Sequence, residues 1–241
     1  MSLGRQAGVA LLISLWALAL LSLLMAAIVT AVRLENRQSS FLLQQTRAHL
    51  AAEAGVALAV ARLSNRQGWP GSAQTLDFNL DDSRLTVQVV SELGKLDLNS
   101  AAPELCGRLA TIVGASPAQA AQWVAGLQAR QAAGNPTPLR LLEEALQLPG
   151  MDSDLYARLQ PYITVWSGSD QPVAGLAAPP VLQALGQNIN AVSSAADPGQ
   201  VLTLTSQAQL DNGFRATLGV TLLLTPNEGR AQPYRVLRWQ P

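Results

Sequence analysis

Val9-Ala-Leu-Leu-Ile-Ser-Leu-Trp-Ala-Leu-Ala-Leu-Leu-Ser-Leu-Leu-Met-Ala-Ala-Ile-Val-Thr-Ala-Val32 is a run of 24 residues without one charge. As a helix rising 1.5 Å per residue it is ~36 Å long. A bilayer core is ~30 Å thick and takes about 20 apolar residues to cross, so the run is long enough to span. It also exceeds the ~7–15 residues of a signal-peptide apolar region. A cleaved secretory signal is the competing reading, because Arg5 supplies a positive leader and Met25-Ala26-Ala27 supplies small residues. Against it, the run starts directly after Gly8 with no polar spacer, and the helical pattern does not stop at Val32.

The rest of the 241-residue chain holds one sizeable folded region or two small ones. Charged residues make up 13% and the formal net charge is zero. Every acidic residue, and every basic one except Arg5, follows Val32. That balance leaves no basic footprint for nucleic acid. The single cysteine, Cys106, excludes an intrachain disulfide and does not assign a compartment. Arg5 precedes the apolar run, and Arg33, Glu35 and Arg37 follow it, so flanking charge alone does not orient a span.

From Val9 to Gln67 there is no proline and one glycine, Gly55. Beyond Val32 the residues are good helix formers. Apolar residues recur at three- and four-residue spacing: Leu34, Phe41, Leu42, Ala48, Ala52, Val56, Val60 and Leu63. Gly68-Trp69-Pro70-Gly71 is a stop signal. The reading is one helix from Val9 to about Arg66, on the order of 85 Å long, with its first half in lipid and its second packed on a globular head.

Period-two alternation follows. Leu76, Phe78 and Leu80 alternate with Asp77 and Asn79, Asp81-Asp82-Ser83 turns, and Leu85, Val87 and Val89 alternate with polar residues. This pattern predicts a hairpin. From Ser100 the character is helical. Pro103 opens a helix to Val113, Ser116-Pro117 a second to about Ala133, and Thr137-Pro138 a third with Leu139, Leu142 and Leu146 on one face. Asp152 caps a fourth, through Leu159. Strand character returns at Tyr162–Trp166, and Gly168–Pro180 reads as a linker before a short helix at Val181–Leu185. A meander of Val201–Thr205, Phe214–Leu224 and Tyr234–Trp239 closes the chain, turning at Asp211-Asn212-Gly213 and at Pro226-Asn227-Glu228-Gly229.

Few side chains offer chemistry. His49 is the only histidine and lies on the long helix; Cys106 has no histidine near it in sequence and reads as a buried structural thiol. No phosphate loop, zinc spacing or serine-triad motif is present, and the expectation is a protein that is not an enzyme. Asp77, Asp81 and Asp82 around the hairpin turn are weak candidates for a hard cation such as Ca2+. Glu143, Glu144, Asp152 and Asp154 form a second acidic group. Solvated turn and cap residues are the simpler account of both, and no cofactor is expected. Val113-Gly114-Ala115-Ser116 and Leu148-Pro149-Gly150-Met151-Asp152 look like helix-hairpin-helix loops, which grip DNA phosphates through backbone N–H groups. Ser116 and Asp152 stand where such loops carry a second glycine, and Pro103–Gln160 has four arginines against five acids. Phosphate binding relies on a basic surplus, so no nucleic-acid partner is expected.

Gly8 directly before the apolar helix, with Arg5 in a short leader, resembles the class III leader of type IV pilins and type II secretion pseudopilins. The resemblance implies that a prepilin peptidase cuts after Gly8 and methylates the new N-terminus at Val9, with the N-terminus cytoplasmic and the head periplasmic. Most pilins carry glutamate at the fifth mature position, where it pairs with the N-terminal amine of a neighbouring subunit; here that position is Ile13. Its absence, together with a helical insertion in the head, resembles the protein K family of minor pseudopilins, placed at the fibre tip. Gly94-Lys95-Leu96-Asp97-Leu98-Asn99, Leu148-Pro149-Gly150-Met151, Tyr162-Ile163-Thr164-Val165 and Tyr234-Arg235-Val236-Leu237 look like its landmarks, and the likeness covers nearly the whole chain.

The expected fold is α+β. It comprises a leader (1–8), a membrane span (9–32), the periplasmic half of the long helix (33–67), an antiparallel β-sheet head (72–99 and 161–241) and an inserted all-α subdomain (100–160). The resemblance implies a single-pass inner-membrane protein that initiates and caps the pseudopilus. Its implied partners are the minor pseudopilins I, J and H, the major pseudopilin, the prepilin peptidase and the inner-membrane secretion platform, with secreted substrate or the outer-membrane secretin beyond the tip. An unrelated single-span binding protein, and a membrane-tethered helix-hairpin-helix DNA-binding protein, are the alternatives.

Overall fold

The computed structural model describes residues 4–63, 73–132, 136–188, 196–225 and 233–240, with side chains from residue 11. The expected stop at Gly68–Gly71 and the expected turn at Pro226–Gly229 lie outside the described residues. The chain divides into two compact units, Met1–Ala48 and His49–Pro241.

The first unit is helical: α1 spans Gly4–Leu63, and its residues up to Ala48 belong here. It begins earlier than the Val9 expected, since nothing between Gly4 and Gly8 breaks a helix. Hydroxyls inside the apolar run are bonded within the helix. Ser14 Oγ donates to Leu11 O (2.8 Å), and Thr30 Oγ1 to Ala27 O (2.8 Å) and Ala26 O (3.0 Å). A polar group is tolerable in hydrocarbon only when its bonds are met internally.

In the second unit the last turns of α1 pack on a five-stranded antiparallel sheet. Its strands are β1 (Ala73–Leu80), β2 (Ser83–Ser91), β5 (Val201–Leu210), β6 (Arg215–Leu224) and β7 (Tyr234–Gln240), in that order across the sheet. The turn between β1 and β2 is only Asp81-Asp82, one residue shorter than the pattern suggested. Leu80 pairs with Ser83, and Ser83 Oγ donates back to Leu80 O at 2.6 Å. Asp81 takes φ +49°, a conformation that aspartate tolerates and that two-residue hairpins require. Leu85, Val87 and Val89 of β2, Leu202 and Leu204 of β5, and Leu218, Val220 and Leu222 of β6 form one buried face. Ala52, Val56, Ala59 and Val60 of α1 cover it, at the i, i+4, i+7, i+8 spacing of one helix face.

Gly55 lies at the tightest point of this contact. A Cβ there would sit 2.4 Å from Ser206 Oγ and 3.3 Å from Val87 Cγ2, so the helix backbone lies directly against side chains of the sheet. Ser206 is fully buried and its hydroxyl has no hydrogen-bond partner among the described residues.

Between β2 and β5 the chain builds a second core. It contains the two-residue strands β3 (Leu96–Asp97) and β4 (Ile163–Thr164), which pair in parallel, and the helices α2 (Pro103–Ile112), α3 (Pro117–Gln131), α4 (Ser153–Leu159) and α5 (Pro179–Ala184). Two expectations are corrected here. Tyr162–Trp166 does not extend the large sheet. Only Ile163 and Thr164 are strand, and they pair with β3. No helix runs on from Pro138 either. Asn99 holds Leu139 extended by bonding both its N–H (2.7 Å) and its carbonyl (2.9 Å), and a 3-10 helix then covers Leu142–Gln147. With three residues per turn, the inward positions become Leu142, Ala145 and Leu148, and Leu146 is left 40% exposed. The core of this layer also draws Leu96, Leu98, Ile163, Val181 and Leu182 from outside 100–160.

Gly55→Leu is expected to lower the unfolding free energy by about 1–3 kcal/mol through overpacking. Ser206→Ala removes an orphaned hydroxyl and is expected to be neutral or stabilising. Denaturant unfolding of the full chain in micelles measures both; an unchanged midpoint for Gly55→Leu would contradict the close approach.

Candidate functional site

The most extensive surface feature of the first unit is apolar. Leu11, Ile13, Trp16, Leu20 and Leu24 are each more than half exposed, and the most apolar stretch of α1 has no buried residue. The helix is long and apolar enough to cross a membrane. Exposure of apolar side chains does not end where charge begins. Leu34, between Arg33 and Glu35, and Phe41, Leu42 and Leu43, past Arg37, remain 52–61% exposed, and so does Leu50 at 57%. Apolar area in water costs about 25 cal/mol per Å2, and exposed patches of this kind mark interaction surfaces.

Gly8 and Val9 fall within α1, where only the backbone is described. Ile13 is 64% exposed, an aliphatic group among aliphatic groups, with Ser14 the polar neighbour. His49 lies on α1 with Nε2 4.0 Å from Glu53 Oε1 one turn on, an ordinary surface pairing. Cys106 is fully buried on α2. Burial, and then the nearby Asp97 carboxylate, push its thiol up to about 12 from an ordinary 9.0, the opposite of what a nucleophilic cysteine needs.

The acidic residues have local employment. Asp77 accepts from Thr86 Oγ1 across the hairpin (2.8 Å), while Asp81 and Asp82 are exposed at its turn. Glu143 pairs with Arg238 of β7, and Glu144 accepts from Leu141 N–H at 3.3 Å. Asp152 caps α4 through Leu155 N–H (2.7 Å) and accepts from Gln119 Nε2 (2.8 Å), and Asp154 is exposed in the first turn of α4. Among the described residues no three His, Cys, Asp or Glu side chains gather where an ion could be held.

The two loops that look like DNA grips have left-handed glycines, Gly114 at φ +95° and Gly150 at φ +80°. The helix starts beyond them are self-capped. Ser116 Oγ accepts from Gln119 N–H at 3.2 Å, and Gln119 Oε1 reaches back to Ser116 N–H at 3.1 Å. Asp152 does the same for α4. One first-turn donor of each helix is thereby taken, Leu155 N–H by a carboxylate.

One group of residues escaped the sequence reading. Glu92 is fully buried, ion-paired to Lys95 Nζ at 2.5 Å, and accepts from Thr203 Oγ1 at 2.6 Å; Thr203 in turn touches Thr221 Oγ1 at 2.8 Å. Arg238 Nη2 lies 3.4 Å from Tyr156 OH. The only signal in the sequence is Glu92 three residues before Lys95. Thr203, which bonds Glu92, lies 111 positions on, and Tyr156 lies 82 positions from Arg238.

By sequence, no family model and no curated protein matches this chain. Among solved structures, the fold is similar to one chain of the GspK–GspI–GspJ complex from the enterotoxigenic Escherichia coli type 2 secretion system. The TM-score is 0.54 at 16% identity, covering 86% of this chain and 98% of that one. The α+β architecture of a long apolar N-terminal helix with an antiparallel sheet is therefore a pseudopilin-like fold.

Cys106 is expected to resist thiol reagents at pH 8 by roughly three orders of magnitude relative to an unperturbed thiol, and to react at once in denaturant. Because its pKa is raised on folding, the associated stability is fully present below pH 9.0 and is lost as pH rises through about 12. Ellman titration and alkaline unfolding curves measure these. Rapid native labelling at pH 8 would contradict the burial.

Proposed function

We propose that this chain is a minor pseudopilin of the protein K type, which initiates and caps the tip of a type II secretion pseudopilus. The observation that carries the reading is the exposed apolar surface of α1 beyond the first charges. Lipid accounts for Leu11 to Val32. It does not account for Leu34, which lies between Arg33 and Glu35, or for Phe41–Leu43, which follow Arg37. Sister helices packed side by side in a fibre would bury both stretches with one surface. The likeness to a chain of the GspK–GspI–GspJ complex supports the same reading.

Under this reading a prepilin peptidase cuts after Gly8 and methylates Val9. The span anchors the subunit in the inner membrane, and the folded unit faces the periplasm. Ile13 has no carboxylate to offer the amine of a subunit above it, as suits a subunit with nothing above it. Proteins I and J are its first partners, then H and the major pseudopilin, on the inner-membrane secretion platform. The helical layer built on α2, α3 and α4 projects at the tip toward secreted substrate or the secretin.

Mass spectrometry of the chain isolated from a host with prepilin peptidase tests this: the expected N-terminus is methylated Val9. An intact Met1 would overturn the assignment in favour of an unprocessed anchor. Gly8→Glu is expected to leave the leader attached and to abolish co-purification with proteins I and J. Deleting residues 100–160 while leaving secretion intact would remove the role given to the helical layer.

A further inference from the structure

The face of the large sheet turned away from α1 is polar, and it forms one wall of a cleft of about 410 Å3. That volume falls within the ~300–1,000 Å3 of small-molecule sites. Gln88 of β2, Thr205 of β5 and Gln240 of β7 line this wall. Tyr162 and Trp166, both half-buried, stand among the cleft residues contributed by the helical core. The cleft lies wholly within the second unit.

Three features distinguish it from a mere packing gap. The first is Gly219, in the interior of β6, whose neighbours Leu218 and Val220 are buried on the α1 side. Glycine weakens a strand and often marks a place another molecule approaches. Nothing in the fold demands it here: its φ is ordinary, and an added Cβ would come no closer than 3.5 Å to any atom.

The second feature is charge. Glu92 and Arg238 line the cleft, and each is already matched, Glu92 by Lys95 and Arg238 by Glu143. A charged ligand would find no uncompensated partner.

The third is unfinished hydrogen bonding. Glu92 Oε2, an acceptor, and Arg238 Nε, a donor, have no partner among the described residues, although the Glu92 side chain is fully buried and that of Arg238 is 10% exposed. Buried polar groups are otherwise almost always bonded.

We propose that this cleft binds a neutral saccharide, its ring against Trp166 and its hydroxyls along Gln88, Thr205 and Gln240, with Arg238 and Glu92 at the base. A pyranose has the matching chemistry. It is uncharged, each hydroxyl both donates and accepts, and its C–H face lies flat on an aromatic ring. Peptide amides are also neutral, but offer no such apolar face backed by a dense row of hydroxyls. The inference does not depend on the pseudopilin reading, because it uses only this cleft.

The test is saturation-transfer NMR and calorimetry on the full chain in a zwitterionic, sugar-free detergent, with maltose, cellobiose and diacetylchitobiose as probes and N-acetyl-trialanine amide as the peptide comparator. At least one disaccharide is expected to bind with Kd below about 10 mM. Gly219→Val and Trp166→Ala should each weaken that affinity by about tenfold or more. Gly219→Val puts a β-branched residue where a Cβ meets only ordinary van der Waals contacts, and an unfolding midpoint measured beside the affinity separates loss of binding from loss of fold. No disaccharide binding, unchanged affinity in Gly219→Val, or binding of the peptide in place of the sugars would each overturn the proposal.

Discussion

The close contact between the Gly55 backbone of α1 and the Ser206 side chain of β5 is the constraint on which the folded unit depends. Ala52, Val56, Ala59 and Val60 are small, so the helix lies low on β2, β5 and β6, and dispersion contacts accumulate over a short gap. Small residues limit what each contact contributes, and alignment along several turns compensates. Ser206 shows the cost of that approach: its hydroxyl is sealed between helix and sheet without a partner among the described residues.

That contact uses only one face of the sheet. The other face is polar, and the chain between β2 and β5 folds over part of it as a layer with its own core around Trp123, Leu109, Leu127 and Leu155. The ties between layer and sheet are polar: Glu143 to Arg238, Tyr156 to Arg238, and Glu92 to Thr203. Within the layer, Asp97 accepts from Asn99 N–H, Ser167 Oγ and Gly168 N–H, holding β3 to the segment after β4. An apolar seam would have closed the gap between layer and sheet; a polar one leaves a cleft.

The first unit obeys a different economy. Its large apolar side chains from Leu11 to Leu24 are each more than half exposed, and the hydroxyls of Ser14 and Thr30 bond inward. A lipid phase satisfies that arrangement, as does a bundle of like helices.

The sequence by itself determined the long helix, the β1–β2 hairpin, the meander and the self-capped starts of α3 and α4. Each of these follows from local periodicity, proline placement or a cap within four residues. The apolar run and the absence of a carboxylate at Ile13 were equally legible, because hydropathy is a property of composition. Tertiary structure alone decided the rest. Asn99 holds Leu139 extended from 40 positions away and turns an apparent α-helix into a 3-10 helix. Ile163 and Thr164 pair with Leu96 and Asp97 instead of the large sheet. Glu92, Thr203 and Arg238 meet at one cleft from three distant segments. A side-chain hydrogen bond or ion pair formed across more than a hundred residues leaves no periodic trace in the chain, since either partner, read alone, is an ordinary polar residue.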